Sequence, residues 1–282
     1  MCIWRAKRTR TPDRGVAGAG GDTGSPEERG DDVTITVLIE NHEDREGRGL
    51  ASEHGLSLLG DAAAATFLFD TGASGGFLEN ARRLGRSIED VPCVAISHGH
   101  YDHGGGLKAF LEANSRGRIF VQRGALEEHF ARDGESGYRS IGLDRDLAAA
   151  HGGRFVFVDE TVEMLPGVWL VADIHGSHPR PRDMQRFHRR AGEGYQGDDF
   201  SHELAVVVRD GRGLVVLAGC SHRGILNLVE TTERRFPGEP IRALIGGFHL
   251  PDAEPGKLAE TEDKKEGIAA FLEKRKPGFK GK

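Results

Sequence analysis

Three histidines and one aspartate lie within six residues of this chain, directly after an apolar stretch. The motif runs from His98 to His103 with the sequence HGHYDH, and the preceding VPCVAIS is typical of a buried β-strand. His98 and His100 are two residues apart, so both side chains can leave the strand end on the same side. Asp102 and His103 follow where the chain turns. So many imidazoles need a common partner, and the pattern therefore indicates a metal site at a strand end rather than separate structural histidines.

The residues that follow this motif favour a strand-loop-helix junction. Gly104, Gly105 and Gly106 allow a tight turn before LKAFLEANS, which is typical of a helix. Neutral imidazoles and a carboxylate suit a divalent first-row metal: Zn²⁺ is expected first, and Mn²⁺ or Fe²⁺ would also fit. We therefore expect one or two divalent ions per chain, with ligands from the set His98, His100, Asp102 and His103.

Two later segments carry further ligand candidates at strand ends. GCSH, residues 219–222, again follows an apolar strand and precedes a helix, which makes His222 the next expected ligand. The thiolate of Cys220 could also bind metal, or the residue could be a small buried side chain. His249, in GGFHL, is a candidate ligand of a second metal, the alternative being a hydrogen-bonded loop histidine.

The HxHxDH motif resembles the signature of the metallo-β-lactamase superfamily. Further stretches resemble one branch, which contains an archaeal dihydropterin-ribofuranosylaminobenzene phosphate synthase and bacterial relatives of unsettled activity; they are EHGLSLL (53–59), LFDTGASG (68–75), GCSHRGILN (219–227) and IGGFHL (245–250). The similarity extends from about Val33 to Leu250. It implies a layered α/β fold, the αββα sandwich, with one or two metals at the sheet edges.

The resemblance also implies roles for residues around the metal. Asp70 is expected beneath the site, where it would hydrogen-bond ligand groups. Cys220 stands where the superfamily usually has an Asp that bridges two metals. Glu53 and His54 are expected near the site, where they could transfer protons or hold a polar substrate, and Asp102 is expected to take part in catalysis as well as in metal binding.

The activity implied by the resemblance is metal-dependent chemistry on a phosphorylated or pterin-like small molecule. Hydrolysis of a phosphoester, thioester or lactone is one expectation, and synthase-like transfer, with a diphosphate leaving group held by the metal, is the other. The residues do not choose between them, because substrate selection is expected in loops at residues 123–150 and 173–200. A catalytically impaired metal-binding protein is the alternative, since relatives continue into a last strand with a histidine, and residues 251–282 offer one helix-like piece and a basic tail.

A basic cluster at residues 180–190 has two interpretations. It is either a solvated helix or loop face, or a clamp for substrate phosphate groups formed by Arg180, Arg182 and Arg186, because arginine presents a planar fork of donors. The remaining histidines show no ligand spacing and are interpreted as surface or loop residues; they are His42, His129, His151, His175, His178, His188 and His202.

Composition sets the outer limits of this interpretation. A chain of 282 residues accommodates one sandwich domain, expected at residues 32–250, after a segment of 31 residues that is rich in Gly, Arg, Asp and Pro and is expected to be disordered. No apolar stretch predicts a signal peptide or membrane span. Three cysteines and a net charge of −6 favour a reducing, cytoplasmic location and a small-molecule substrate, with neither nucleic acid nor membrane as partner. Oligomeric state stays open.

Hydrophobic patterning predicts alternating strands and helices. A hairpin with its turn at residues 210–213 is expected to be buried on both faces, because both of its strands are nearly continuously apolar. Further strands are expected at residues 33–41, 66–70, 91–97, 118–122, 154–158, 168–174 and 241–250, with a polar loop at 42–55 and helices at 77–85, 107–115, 124–132 and 224–236.

Overall fold

The computed structural model describes residues 33–62, 66–134 and 137–249. The predicted disordered segment at 1–31 and the predicted C-terminal piece at 251–282 therefore lie outside the described residues. The chain divides into two compact units, the first of which ends at Phe248, so His249 is described by itself. None of the helices in the described ranges is long and apolar enough to cross a membrane.

The first layer of the core is a six-stranded mixed sheet. In spatial order its strands are β1 (Thr34–Ile39), β2 (Ser57–Asp61), β3 (Thr66–Phe69), β4 (Cys93–Ala95), β5 (Arg118–Val121) and β8 (Phe155–Phe157). The first three strands are antiparallel, and β3, β4, β5 and β8 are parallel. The carboxyl ends of β3 and β4 therefore meet at one edge, which places the HGHYDH segment beside Asp70.

A second sheet of five strands contains the predicted hairpin. It consists of β9 (Val162–Leu165), β10 (Val168–Val171), β13 (Ala205–Asp210), β14 (Gly213–Ala218) and β15 (Ile241–Gly246). β13 pairs with β14 through Asp210 and Gly213, which confirms the hairpin and its turn. β14 and β15 are parallel. The GCSH segment follows directly after the carboxyl end of β14.

The two sheets pack face to face with helices outside. The helices are α1 (Gly76–Arg83), α2 (Tyr101–Gly104), α3 (Leu107–Ala113), α4 (Asp146–Ala150) and α5 (Ile225–Arg235). Successive residues of each strand point to opposite faces: Phe67 and Phe69 fill the core between the sheets, whereas Leu68 packs in the cluster that contains helix residues of α1 and α3. The hairpin behaves likewise, with Val206 in the central core and Val207 under α5. The predicted αββα sandwich is confirmed.

A third sheet was not expected from the sequence. Its strands are β6 (His129–Asp133), β7 (Gly137–Ser140), β11 (Phe187–Ala191) and β12 (Gly194–Gly197), in the order β12-β11-β6-β7. The helix predicted at residues 124–132 is therefore wrong: a 3₁₀ turn at Arg123–Leu126 is followed by β6. The reason is tertiary, because β6 pairs with β11, a strand far along the chain, and such pairing overrides local helix propensity.

Two predicted loops change character in this structure. The regions at 123–150 and 173–200, where substrate selection was expected, contain the strands of this third sheet: β6 and β7 come from the first region and β11 and β12 from the second. Strand β2 was also missed, because its sequence SLLGD is short and follows a polar loop.

The packing of α5 predicts a contrast between two leucines of one helix. Leu228 is 2% exposed under the second sheet, whereas Leu226 is 55% exposed. Replacing Leu228 with Ala removes buried methyl groups and leaves a cavity, so we expect the free energy of unfolding to fall by about 2 to 5 kcal/mol. Leu226→Ala is the matched control, with a change below about 0.5 kcal/mol. Equal effects in urea unfolding would show that α5 does not pack as described.

Candidate metal centre

Asp70 joins the ends of β3 and β4 beneath the HGHYDH segment. Its side chain is fully buried, and its backbone has a φ of 58°, in the left-handed region that few residues other than glycine adopt. Oδ1 accepts from the Ser97 amide at 2.7 Å, and Oδ2 accepts from Ser97 Oγ at 2.7 Å and from His103 Nδ1 at 2.6 Å. Because the proton of His103 is held on Nδ1, its Nε2 is left as a potential ligand atom.

The first donor group consists of His98, His100 and His222. Their potential ligand atoms lie within 4.8 Å of one another, and all three side chains are buried. His98 Nε2 and His222 Nε2 are 3.2 Å apart, so the segments after β4 and β14 meet at this point. Imidazoles from the two sheets thus converge at one edge of the sandwich.

Burial keeps the imidazoles of His98 and His100 neutral. It lowers the pKa of His98 and His100 well below the usual histidine value, and the neighbouring histidines lower it further. A neutral imidazole offers the nitrogen lone pair that metal ligation requires.

The donor chemistry of this group fits a divalent metal. Among the described residues, His100 Nε2 is buried and has no hydrogen-bond partner. An unsatisfied buried polar atom costs about 1 to 3 kcal/mol, so a nitrogen in this position needs a partner of another kind. Three imidazoles are a donor set that Zn²⁺ takes at catalytic sites, and Zn²⁺ therefore suits the residues present.

A second donor group adds a thiol. It consists of His98, His103 and Cys220, whose potential ligand atoms also lie within 4.8 Å of one another. His103 Nε2 is 3.1 Å from Cys220 Sγ and 3.5 Å from Asp102 Oδ2. Burial raises the pKa of the Cys220 thiol, so a thiolate at this position needs a nearby cation.

Glu53 and His54 differ in their surroundings. Glu53 Oε1 accepts from the amides of Ala73 and Ser74 at 2.9 and 3.1 Å, and Oε2 accepts from Ser74 Oγ at 2.7 Å, so this carboxylate shapes the turn after Asp70. His54 is exposed, and its Nε2 lies 3.4 Å from Asp102 Oδ2. Of the predicted catalytic residues, His54 and Asp102 are thus brought together beside His103.

His249 begins the second compact unit and is described only by itself. Its backbone has a φ of 41°, in the left-handed region. Its role as a ligand stays a prediction.

The basic cluster forms a 3₁₀ turn at Arg182–Arg186 and the strand β11. Arg180 Nη1 donates to the Asp199 carbonyl at 3.0 Å. The Arg186 guanidinium lies 5.7 Å from the centre of the Phe187 ring. Sequence reasoning missed Arg223, which follows His222 and donates to the same Asp199 carbonyl at 3.1 Å.

Aromatic rings enclose the first donor group. Phe200 stacks on His222 with a centroid distance of 4.0 Å. Phe187 lies 5.2 Å from the ring centroids of both His100 and His222. These side chains exclude water from one side of the imidazoles.

Two histidines interpreted as surface or loop residues are instead buried. His129 is 0% and His202 is 3% exposed, and with Asp198 they form a third group of side chains. No local spacing signals them, because the third sheet brings them together from distant segments. Glu203 was missed for the same reason: its buried carboxylate accepts from the amides of His222 and Arg223 at 2.7 and 2.8 Å, and burial raises its pKa to about 7.

Comparison with known proteins places this geometry in a family. The family model described as the metallo-beta-lactamase superfamily matches residues 57–191. The crystal structure of Tm1679, a metal-dependent hydrolase of the β-lactamase superfamily, is similar with 32% identity and a TM-score of 0.63, over 85% of this chain and 83% of that one. The chain belongs to the metallo-β-lactamase superfamily.

Two curated relatives of this superfamily member come from Methanocaldococcus jannaschii. The first is named 7,8-dihydropterin-6-methyl-4-(β-D-ribofuranosyl)-aminobenzene-5'-phosphate synthase and is 27% identical over 81% of this chain and 82% of its own length. The second, the uncharacterized protein MJ0448, is 26% identical over 81% of this chain and 84% of its own length. The resemblance to the synthase branch is therefore borne out.

The first donor group predicts that two histidines carry most of the bound metal. Replacing His98 and His100 together with Ala should remove most of it, because only His222 of this group would then remain. Inductively coupled plasma mass spectrometry on protein purified without chelator measures the stoichiometry. His151→Ala, at an exposed histidine, is the control and should keep the wild-type metal content. Unchanged stoichiometry in the double variant would contradict the assignment.

The second donor group predicts different behaviour for two cysteines. Cys220→Ser should abolish thiolate-to-metal charge-transfer absorption in the Co²⁺-loaded protein, because Cys220 Sγ lies beside His103 Nε2. Cys93→Ser is the control: Cys93 lies in the core between the sheets, so this change should lower stability and keep the absorption. A charge-transfer band that survives in Cys220→Ser would show that the thiol does not bind metal.

Proposed function

We propose that this protein is a metal-dependent enzyme that acts on a phosphorylated or pterin-like small molecule, as a hydrolase or as a synthase-like transferase. The observation that carries the proposal is the convergence of buried imidazoles from the loops after β4 and β14, with His100 Nε2 lacking a hydrogen-bond partner among the described residues. Similarity to a metal-dependent hydrolase and to a named synthase supports it.

The first donor group, His98, His100 and His222, would hold one divalent ion. His103, Cys220 and Asp102 offer donors for a second, with Zn²⁺ suited to both sets and Mn²⁺ or Fe²⁺ also compatible. When bound, such an ion supplies a Lewis acid that polarises a phosphoryl or carbonyl oxygen.

The protein's own side chains orient the ligands. Asp70 accepts from His103 Nδ1, which holds the proton of that ring on Nδ1. It also accepts from the amide of Ser97, the residue directly before His98. Ser97 Oγ lies 2.9 Å from His98 Nδ1, so the hydrogen bond on this side leaves His98 Nε2 for ligation. Glu203 anchors the backbone of His222 from beneath.

Asp102 and His54 are assigned the proton transfer in this proposal. Asp102 is buried beside His103, whereas the ring of His54 is exposed. Asp102 Oδ2 and His54 Nε2, 3.4 Å apart, would thus connect the site to solvent for proton transfer. Phe187 and Phe200 pack against the rings of His100 and His222 and exclude water there.

Two arginines favour an anionic substrate. Arg180 and Arg223 both donate through guanidinium nitrogens to the Asp199 carbonyl, and among the described residues no ion pair joins either guanidinium to a carboxylate. Two guanidinium groups that share a neutral acceptor keep positive charge available for a phosphate or diphosphate group. Arg223 directly follows His222 in the sequence, which supports this role. The relative named as a 5'-phosphate synthase agrees with a phosphorylated ligand.

Initial rates of the metal-loaded protein test this function. The panel contains phosphodiesters, thioesters, lactones, nitrocefin, and a dihydropterin diphosphate supplied with a ribofuranosylaminobenzene phosphate acceptor. We expect turnover of a phosphorylated or pterin substrate that depends on metal and is lost in the His98→Ala/His100→Ala variant, with no useful turnover of nitrocefin, because the fold alone does not fix the substrate. Full metal content without turnover of any phosphorylated or pterin substrate would instead support a metal-binding protein without catalysis.

A further inference from the structure

A buried group of three side chains outside the two donor groups lies against the loop that carries His98 and His100. His129 comes from β6, and Asp198 and His202 come from the segment after β12. All three are buried. Their potential ligand atoms lie within 4.8 Å of one another, which would also suit a cation. The hydrogen bonds therefore decide between a metal site and a structural network.

Every ring nitrogen of this group has a protein partner. Asp198 Oδ2 accepts from His129 Nδ1 at 2.7 Å and from His202 Nε2 at 3.4 Å, and Oδ1 accepts from the Phe200 amide at 2.8 Å. His129 Nε2 donates to the Gly124 carbonyl at 3.0 Å. A nitrogen that donates a proton offers no lone pair to a metal, so the contacts favour a network over a third ion.

The network ends on the backbone between two predicted metal ligands. The Gly99 amide donates to His202 Nδ1 at 3.3 Å, and Gly99 separates His98 from His100. Burial lowers the pKa of His202, so its ring is neutral and its Nδ1 can accept. The Leu204 amide donates to the Ser97 carbonyl at 2.6 Å, which binds the segment at a second point.

Packing explains why residue 99 is a glycine. A Cβ on Gly99 would lie 2.5 Å from the Ala125 carbonyl oxygen and 2.5 Å from His129 Nε2. The His129 ring therefore rests directly on the Gly99 backbone while His202 holds its amide. These contacts restrict the residue between His98 and His100, whose φ and ψ help to set the relative direction of the two side chains.

We propose that His202 is a positioning residue that holds the Gly99 amide and thereby aligns His98 and His100 for metal binding. The inference rests on the proposed metal site. Contacts that orient ligands typically change metal affinity by about 10- to 100-fold when they are lost. The hydrogen bonds of the network reach the backbone of the loop and not the nitrogens of the ligand rings, which separates it from Asp70.

Two amide substitutions at His202 separate the contacts of its ring. His202→Asn keeps an acceptor at the position of Nδ1, so it can bind the Gly99 amide but does not reach Asp198. His202→Gln keeps a donor near the position of Nε2, so it can bind Asp198 but leaves the Gly99 amide without its acceptor. We expect His202→Gln to weaken Zn²⁺ binding by about 10- to 100-fold and His202→Asn to stay within about threefold of wild type.

Zn²⁺ affinity is measured by competition with a chromophoric chelator, alongside thermal unfolding of the metal-free proteins and the Co²⁺ spectrum. Support requires that metal-free His202→Gln stays folded, with weaker Zn²⁺ binding and a changed d–d band. Equal affinities in both variants would overturn the proposal, as would loss of folding in both metal-free variants, which would mean a purely structural network. If His202→Gln lost one metal equivalent while the remaining ions kept their affinity, the group would be a third metal site and the proposal would be overturned. Absence of metal from the wild type would refute the metal site itself.

Discussion

The buried carboxylate of Asp70 is the contact on which the candidate site depends. It accepts three hydrogen bonds, from the Ser97 amide, from Ser97 Oγ and from His103 Nδ1, and so ties the end of β3 to the loop after β4. Burying a charge is costly unless it is well hydrogen-bonded, so all three hydrogen bonds are needed to keep this carboxylate in the interior. In return it fixes the tautomer of His103 and the backbone before His98, and so orients two residues of the second donor group.

The site also requires both halves of the sandwich. His98 and His100 leave the first sheet, His222 leaves the second, and the segment at residues 202–204 touches both loops: His202 and Leu204 hold the backbone around His98, and Glu203 holds that of His222. Metal binding and packing of the two sheets are therefore coupled, because an ion shared between these loops would join the two layers.

Local patterns account for most of the fold and for the residues of both donor groups, whereas long-range pairing accounts for what was missed. The apolar strands, the hairpin and the HGHYDH and GCSH motifs are contiguous in sequence, so periodicity and spacing reveal them. His129 and His202 have no such signal. They become buried because β6 pairs with β11, 60 residues further on between His129 and Arg189, and nothing in EEHFARD distinguishes this strand from a helix. No sequence pattern indicates that their partner Asp198 is buried either.

Anomalous scattering from a crystal of the metal-loaded protein, recorded at the absorption edge of the bound metal, would locate the ion itself. We expect a strong peak within bonding distance of Nε2 of His98, His100 and His222, with any second peak beside His103 and Cys220. A crystal that is loaded with metal but shows no peak at the three imidazoles, or shows its main peak among His129, Asp198 and His202, would contradict the assignment of the metal centre.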